Sequence, residues 1–469
     1  MIEFKNVSFS YESENKNVSC LKNLNLTIDE GECIVLCGDS GCGKTSLIRL
    51  INGLIPSYYD GELEGDVTLN GASIKDLQLY EIAQKVGSVF QNPKSQFFNA
   101  EVLSELSFVC ENLGFEPSEI EHRVQQAIKD FSIEHLIEKR VSALSGGEKQ
   151  KIACACVTTP NPDVFVFDEP SSNLDRVGIQ LLVSALERLK EKKKTIVVAE
   201  HRLYYLKDIA TKYIYMQKGE IIRIFTREEF LALSVNERQE LGLRCSDLSE
   251  LTMPEQKNTN VESIELENFT FSFDKKNTIL DIPRLSIPKG RITAIIGNNG
   301  CGKTTFAHCL CGIYKNKGIV NIDNKNLDYK KRLSSVFLVM QDSNHQLFTE
   351  TVLDEVLISL PNEDDKKAKE ILNSMNLDDF LERHPMSLSG GQKQRTAIAT
   401  ALASNRDIII FDEPTSGLDY KHMKAVSNRL KELANTGKTI IVITHDRELI
   451  SDCCETIIEI EQGKIKNEE

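Results

Sequence analysis

The sequence predicts an α/β protein made of two similar domains in tandem, each built around a largely parallel sheet. Three observations carry that expectation. The 469 residues are too many for one ordinary core and suit two or three domains. The chain repeats itself: Ile2–Tyr11 returns as Ile264–Phe273, Gly38–Thr45 as Gly297–Thr304, Leu144–Gly147 as Leu388–Gly391, Asp168–Pro170 as Asp412–Pro414, and His201 as His445. Within a copy, short apolar runs rich in β-branched residues alternate with stretches of helical periodicity, the pattern of a parallel sheet.

In chain order, Glu32–Cys37 reads as a buried strand, then comes a glycine-rich loop, then a helix from Lys44 through Leu50. Val164–Phe167 and Thr195–Ala199 read as further strands. Between them, Ile179–Lys190 has helical spacing, with Leu181, Leu182, Ala185, Leu186 and Leu189 on one side. The basic run Lys190–Lys194 reads as the solvated end of that helix. The offset between copies is 262 residues at Tyr11/Phe273, 259 at the glycine loop, 250 at Gln91/Gln341, and a constant 244 from Leu144 to His201. Length changes therefore fall early and in the middle, and the late block is the rigid centre of each half. Thr226–Leu243 reads as a short helical tail, and Ser246–Ser263 has linker composition. The expected boundaries are 1–245 for the first domain, 246–262 for the linker and 263–469 for the second domain.

Composition excludes several classes. Asp+Glu is 70 against Lys+Arg 56, a formal charge of −14, which argues against a nucleic-acid partner. No apolar run approaches the ~18–20 residues that span a bilayer, and Met1–Lys5 does not open a secretion leader. The expectation is an intracellular chain that reaches a membrane only through partners. The 13 cysteines are odd in number, scattered and without a CxxC pair, so they read as reduced thiols rather than a metal site.

The chemistry-bearing motifs occur twice. Gly38-Asp39-Ser40-Gly41-Cys42-Gly43-Lys44-Thr45, followed by Ser46, and Gly297-Asn298-Asn299-Gly300-Cys301-Gly302-Lys303-Thr304, followed by Thr305, each sit between a strand and a helix. Glycines let backbone N–H groups face phosphate oxygens at a helix N-terminus. Lys44 and Lys303 would contact the β/γ-phosphates, and Thr45 and Thr304 would offer hydroxyls to Mg²⁺. Each apolar strand ending in Asp168-Glu169 or Asp412-Glu413 places two acids together. Asp168 and Asp412 are expected as Mg²⁺ ligands, and Glu169 and Glu413 as polarisers of the attacking water. Cys42 and Cys301 lie inside the phosphate loops, where backbone dipoles are expected to lower their pKa and make them alkylation targets.

The order glycine loop, lone Gln, Leu-Ser-Gly-Gly, Asp-Glu-Pro, Ser-x-Leu-Asp, His resembles that of ATP-binding cassette (ABC) ATPases, over nearly the whole chain and twice. The resemblance implies two P-loop NTPase domains, each a mostly parallel core sheet with an antiparallel β-subdomain and a helical subdomain. It implies ATP bound head to tail between halves that pair within one chain. Ser145-Gly146-Gly147 would cap the nucleotide held by Lys303, and Ser389-Gly390-Gly391 the one held by Lys44. Gln91 and Gln341 would sense the γ-phosphate and join the Mg²⁺ ligands, Ser172/Asp175 and Ser416/Asp419 would couple the sites, and His201 and His445 would contact the γ-phosphate. Tyr11 and Phe273 match the aromatic that stacks on adenine. The departures are Glu148 and Lys151 where the second half has Gln392 and Arg395, and Ala-Glu-His-Arg around His201 against Ile-Thr-His-Asp around His445.

Gln91-Asn92-Pro93-Lys94-Ser95-Gln96-Phe97-Phe98, its looser copy Gln341–Phe348, Glu101–Leu106 and Thr351–Val356, Asn52–Pro56, and Ala199–Leu203 resemble energy-coupling factor (ECF) importers. That resemblance implies a motor at the cytoplasmic face of the cell membrane, held by a transmembrane coupling protein and a small substrate-binding membrane protein, driving uptake of a micronutrient such as a vitamin or metal ion. Glu105 and Glu355 are candidates to meet arginines of the coupling protein, with helix-cap or surface roles as the alternative. Other readings are a sugar-type importer ATPase, an exporter motor, or an ABC-F-type ribosome-binding translation factor.

Overall fold

A computed structural model describes residues 1–12, 18–91, 95–254, 262–274 and 277–466. The chain divides into two compact units, Met1–Glu250 with Asp419–Lys421, and Leu251–Leu418 with His422–Glu469.

The first unit carries two sheets. Strands β1 (Ile2–Tyr11), β2 (Val18–Ile28), β4 (Gly61–Leu69) and β5 (Ala72–Ser73) form an antiparallel sheet in the order β2-β1-β4-β5. Along β1 the apolar Ile2 and Phe4 point inward, and the alternation then breaks. Asn6 has φ 51° at a register shift against both neighbours, which returns Val7 and Phe9 to the core. The six-stranded sheet has the order β10-β9-β3-β8-β7-β6, with β3 (Cys33–Gly38), β6 (Val86–Val89), β7 (Val164–Asp168), β8 (Thr195–Ala199) and β9 (Lys212–Gln217). These run parallel, and β10 (Glu220–Thr226) closes one edge antiparallel. Strands β3 and β8 are buried throughout, as their unbroken apolar sequence requires.

Helix α1 (Lys44–Ile51) follows β3 across the short loop Asp39–Gly43. Helices α2 (Val102–Asn112) and α3 (Gly146–Thr158) pack with Pro117–Phe131 into a helical part whose apolar side chains continue the core under the large sheet. The expected helix at Ile179–Lys190 is longer, Arg176–Glu191, and buries Ile179, Leu182, Ala185, Leu186 and Leu189.

The second unit repeats this plan. Its antiparallel sheet is β12-β11-β14-β15, from β11 (Ser263–Phe271), β12 (Leu280–Pro288), β14 (Lys317–Ile322) and β15 (Lys325–Asn326). Its large sheet is β16-β17-β18-β13-β19-β20, from β13 (Ile292–Ile296), β16 (Val336–Val339), β17 (Ile408–Asp412), β18 (Thr439–Ile443), β19 (Thr456–Glu461) and β20 (Lys464–Ile465), with only β20 antiparallel. Helices α4 (Lys303–Cys311), α5 (Val352–Leu357) and α6 (Gly390–Ala403) stand where α1, α2 and α3 do in the first unit.

The two domains of mostly parallel α/β architecture are as the sequence predicts. The linker boundary differs. The tail folds into short helices at Arg227–Leu231 and Val235–Glu240, each started by a Thr or Ser capping box. Beyond them, Arg244, Cys245 and Ser246 are buried. Asp247 pairs with Lys207 at 2.6 Å, and Glu250 pairs with the buried Arg238. Residues 246–250 look like linker by composition, yet Asp247 and Glu250 are spent on pairing, and the first unit runs to Glu250. Residues 255–261 of the expected linker lie outside the described residues. Among the described residues all 13 cysteines are free, no three or more His, Cys, Asp and Glu side chains are grouped to hold a metal ion, and no helix is long and apolar enough to cross a membrane.

Candidate functional site

Each unit gathers its glycine loop, Asp-Glu pair and histidine at the C-terminal end of the large sheet, whereas the Leu-Ser-Gly-Gly run and the aromatic lie elsewhere. Gly38 takes φ 140° and Gly297 φ 143°, and a Cβ on either would fall 2.1 Å from a carbonyl oxygen of the neighbouring strand, Met216 or Ile460. Only glycine allows that approach. The loop Asp39–Gly43 then turns back on itself, Cys42 N–H donating to Asp39 O, and Cys301 N–H donates to Asn298 O in the copy. Lys44 Nζ, buried, donates to the carbonyls of Gly38 and Asp39, both at 3.0 Å, and Lys303 Nζ to those of Gly297 (2.7 Å) and Asn298 (3.0 Å). The ammonium thus sits inside the loop whose amides open the helix, a concentrated positive pole suited to phosphate.

Thr45 Oγ1 donates to Asp168 Oδ1 at 3.0 Å, and Thr304 Oγ1 to Asp412 Oδ2 at 2.8 Å. Burial, and next the neighbouring charge of Glu169, push the Asp168 carboxyl up to about 6; burial likewise raises that of Asp412. Glu169 and Glu413 follow with φ 45° and 50°, a left-handed backbone rare for non-glycine residues, while their amides still donate into the sheet to Ala199 O and Ile443 O. That conformation turns the chain off the strand end, and each carboxylate lies beside a histidine. His201 Nε2 lies 3.4 Å from Glu169 Oε1, and His445 Nε2 lies 3.6 Å from Glu413 Oε1. Gln91 Nε2 donates to Glu169 Oε2 at 2.7 Å. In the second unit Gln341 is exposed, and His445 Nε2 lies 3.1 Å from Asn299 Oδ1.

Ser145 and Ser389 start α3 and α6 as N-caps. Each closes a capping box, with Glu148 or Gln392 as the third residue, so the departure from Gln to Glu keeps the same bonds. Gly146–Gly147 and Gly390–Gly391 form the first turn of these helices. Tyr11 and Phe273 differ. Tyr11 OH bonds Ser46 Oγ (2.9 Å) and takes a bond from Arg49 (3.0 Å), its ring edge-on to Phe9 and Tyr59. Phe273 is 66% exposed, edge-on to Phe271 and Tyr314.

Two expectations need correction. Cys42 is buried, and desolvation raises its thiol pKa against the lowering by Lys44, so dipoles do not make it reactive. Glu105 and Glu355, 4% and 2% exposed, are turned inward. Glu105 Oε2 accepts from the amides of Phe98 (3.1 Å) and Asn99 (2.6 Å), and Glu355 Oε1 from those of Phe348 and Thr349. Gln96 pins the other end of that loop, accepting from Phe90 N–H and donating to Ser88 O, and Gln346 accepts from Met340 N–H. Held from both ends, the loops leave Phe98 and Phe348 about three-quarters exposed. Residues 92–94 of the Gln91–Phe98 segment lie outside the described residues. Sequence reasoning marks the side chains flanking each histidine as a difference between the copies but assigns them no role, because that role depends on contacts with the turn after Glu169 or Glu413.

The family model for ABC transporters matches residues 21–172 and 280–416, one stretch in each repeat, and the chain belongs to that family. A Treponema denticola protein provisionally named as an ABC transporter ATP-binding protein is 41% identical over 475 residues, covering 100% of this chain and 97% of its own. A protein of the same provisional name from Methanosarcina mazei is 32% identical over 521 residues, covering 99% and 88%. Among solved structures, the archaeal ribosome recycling factor aABCE1, in complex with the ribosomal stalk protein aP1, aligns with a TM-score of 0.67 over 98% of this chain and 89% of that one. At 24% identity it speaks for the fold alone. The chain is a tandem-cassette ABC ATPase that binds and hydrolyses ATP.

Proposed function

We propose that both cassettes are complete hydrolysis sites and that the chain is the motor of an importer of the ECF type. One observation carries the first part: the lysine, hydroxyl, aspartate, glutamate and histidine are brought together in each unit with nearly the same distances. Lys44 and Lys303 bind the β/γ-phosphates, with the loop amides around them. Mg²⁺ fits the donor set: a hydroxyl and a buried carboxylate are oxygen donors for a hard cation, and a divalent charge would draw the raised aspartate back to its anionic form. Thr45 and Asp168, with Gln91, would hold it in the first unit, and Thr304 and Asp412, with Gln341, in the second. Bound there, it would supply charge neutralisation at the phosphates. Glu169 and Glu413 orient water, and His201 and His445 hold the γ-phosphate side. In the closed state Ser145–Gly147 cap the nucleotide on Lys303, and Ser389–Gly391 the one on Lys44.

Glu169→Gln with Glu413→Gln should bind ATP, trap the closed form and abolish turnover. Substantial residual ATPase activity in that variant would overturn the assignment.

The ECF reading is supported by the Gln91–Phe98 resemblance and by the two pinned loops, each of which presents one exposed aromatic, Phe98 or Phe348, as an apolar contact for a transmembrane coupling protein. The small substrate-binding membrane protein would select a vitamin or metal ion at a site away from this chain. Affinity purification from detergent-solubilised membranes should recover hydrophobic partners with the wild type and lose them with Phe98→Ala plus Phe348→Ala. Recovery of ribosomes instead would overturn the importer reading.

A further inference from the structure

In the first unit Glu200 directly precedes His201 and is 2% exposed. Its carboxylate gathers four donors: the amides of Ser171 (3.3 Å), His201 (2.7 Å) and Arg202 (3.1 Å), and the Tyr205 hydroxyl (2.8 Å). Arg202, also buried, donates through one terminal nitrogen to the carbonyls of Ser171 (3.3 Å) and Leu174 (3.4 Å). The two side chains flanking the histidine thus grip the turn that follows Glu169, one by its N–H and the other by its carbonyls. A buried carboxylate is tolerated only with donors of this kind, and losing it would leave them unmatched.

The second unit ties the same two segments together with different chemistry. Thr444 and Asp446 occupy the corresponding positions, so the carboxylate lies on the other side of the histidine. Asp446 Oδ2 accepts from Thr415 Oγ1 at 2.7 Å, and Thr415 corresponds to Ser171. The other oxygen of Asp446 caps the helix Arg447–Cys453. Thr444 Oγ1 accepts from Asp446 N–H at 3.0 Å and lies 3.3 Å from Glu413 Oε2, to which it can donate. A carboxylate at position 200 has no such proton to offer, and Glu169 takes the Gln91 amide instead.

We propose that Glu200 and Arg202 are positioning residues that set His201 and Glu169 for hydrolysis, and that with Ser171 they form one module, exchangeable with Thr415, Thr444 and Asp446 of the second unit. The proposal rests on the reading of His201 and Glu169 as hydrolytic groups. In the full-length chain with its second site silenced by Glu413→Gln, the parent that stands as wild type for every first-site variant, Glu200→Thr should lower kcat for ATP about tenfold while leaving ATP affinity within about threefold. Converting the whole module, S171T/E200T/R202D, should restore kcat to within about threefold of wild type. In a His201→Ala background, Glu200→Thr should cost less than about twofold, since its effect runs through the histidine; a merely structural role would keep its full cost. Wild-type kcat in Glu200→Thr, or a converted module as slow as Glu200→Thr when both melt within a few degrees of wild type, overturns the proposal. Should Glu200→Thr not fold, the reverse exchange decides in a parent with its first site silenced by Glu169→Gln: T415S/T444E/D446R must be active where Thr444→Glu alone is not. Unchanged turnover in His201→Ala would overturn the site assignment and the proposal together, whereas a slow His201→Ala with a failed exchange overturns the proposal alone.

Discussion

The two cassettes share a scaffold down to the φ of their phosphate-loop glycines, and they differ in how the side chains around it are wired. In the first, Glu169 is held by Gln91 and the aromatic Tyr11 is tied by its hydroxyl to Ser46 and Arg49. In the second, His445 meets Asn299 and Phe273 stands out to solvent. The backbone at each site answers to sterics that admit few solutions, so it repeats. The bonds that steady the reactive side chains can be met by several donor and acceptor sets, so they drift. Equal motifs therefore need not mean equal sites.

The sharpest way to break that comparison is to remove one ammonium at a time. Lys44→Ala and Lys303→Ala should each cut ATP stoichiometry, read by equilibrium dialysis, from two per chain to one, with more than about a hundredfold loss at the altered site. A stoichiometry of two that survives either substitution would show that the lysine does not hold the nucleotide at that site.

Next in size is the aspartate. With its pKa raised to about 6 in the fold, Asp168 contributes most favourably while protonated, and that contribution is lost as pH rises from about 4 through about 6. In Mg²⁺-free buffer, Asp168→Asn should match wild-type stability at pH 4 and exceed it by roughly 2–3 kcal/mol above pH 7 in denaturant titrations, a gap that millimolar Mg²⁺ with nucleotide should close. A gap that instead widens towards low pH would contradict the burial argument. Asp412→Asn should show the same sign.

Smaller effects probe the aromatic difference. Phe273→Ala should weaken nucleotide binding at the second site by roughly 1 kcal/mol, about fivefold, if the exposed ring meets the base. Tyr11→Phe should cost about 1 kcal/mol of stability through the lost bonds to Ser46 and Arg49, whereas Phe273→Tyr should cost close to nothing. Equal stability changes in both would erase the distinction.

Much of this was legible in the sequence because it rests on backbone demands. The strand at Thr195–Ala199 and the loop at Gly38–Thr45 fall where the apolar run and the glycines place them. What stayed hidden depends on where a side chain turns. Glu105 looks like a surface acid on a helix, and only the loop folding back over it makes it a buried acceptor. Cys42 sits in a phosphate loop, yet Gly38 packs so closely that a Cβ there would lie 3.1 Å from its sulfur, and burial outweighs the dipole. The brace beside the histidines was hidden for another reason: the sequence sets Glu200 against Thr444 and Arg202 against Asp446, but only the folded chain shows that Glu200 and Asp446 both reach the turn at Ser171 or Thr415.

The pairing of Asp247 with Lys207 and of Glu250 with Arg238 bears on how such a chain could be divided into two genes. A break after residue 245 would strand two acids from their cations and uncover Ser246, leaving the amino-terminal product with a frayed, sticky end. A break after Glu250 would keep those contacts on one product, which makes residues 251–254 the better place to open a new terminus or insert a tether.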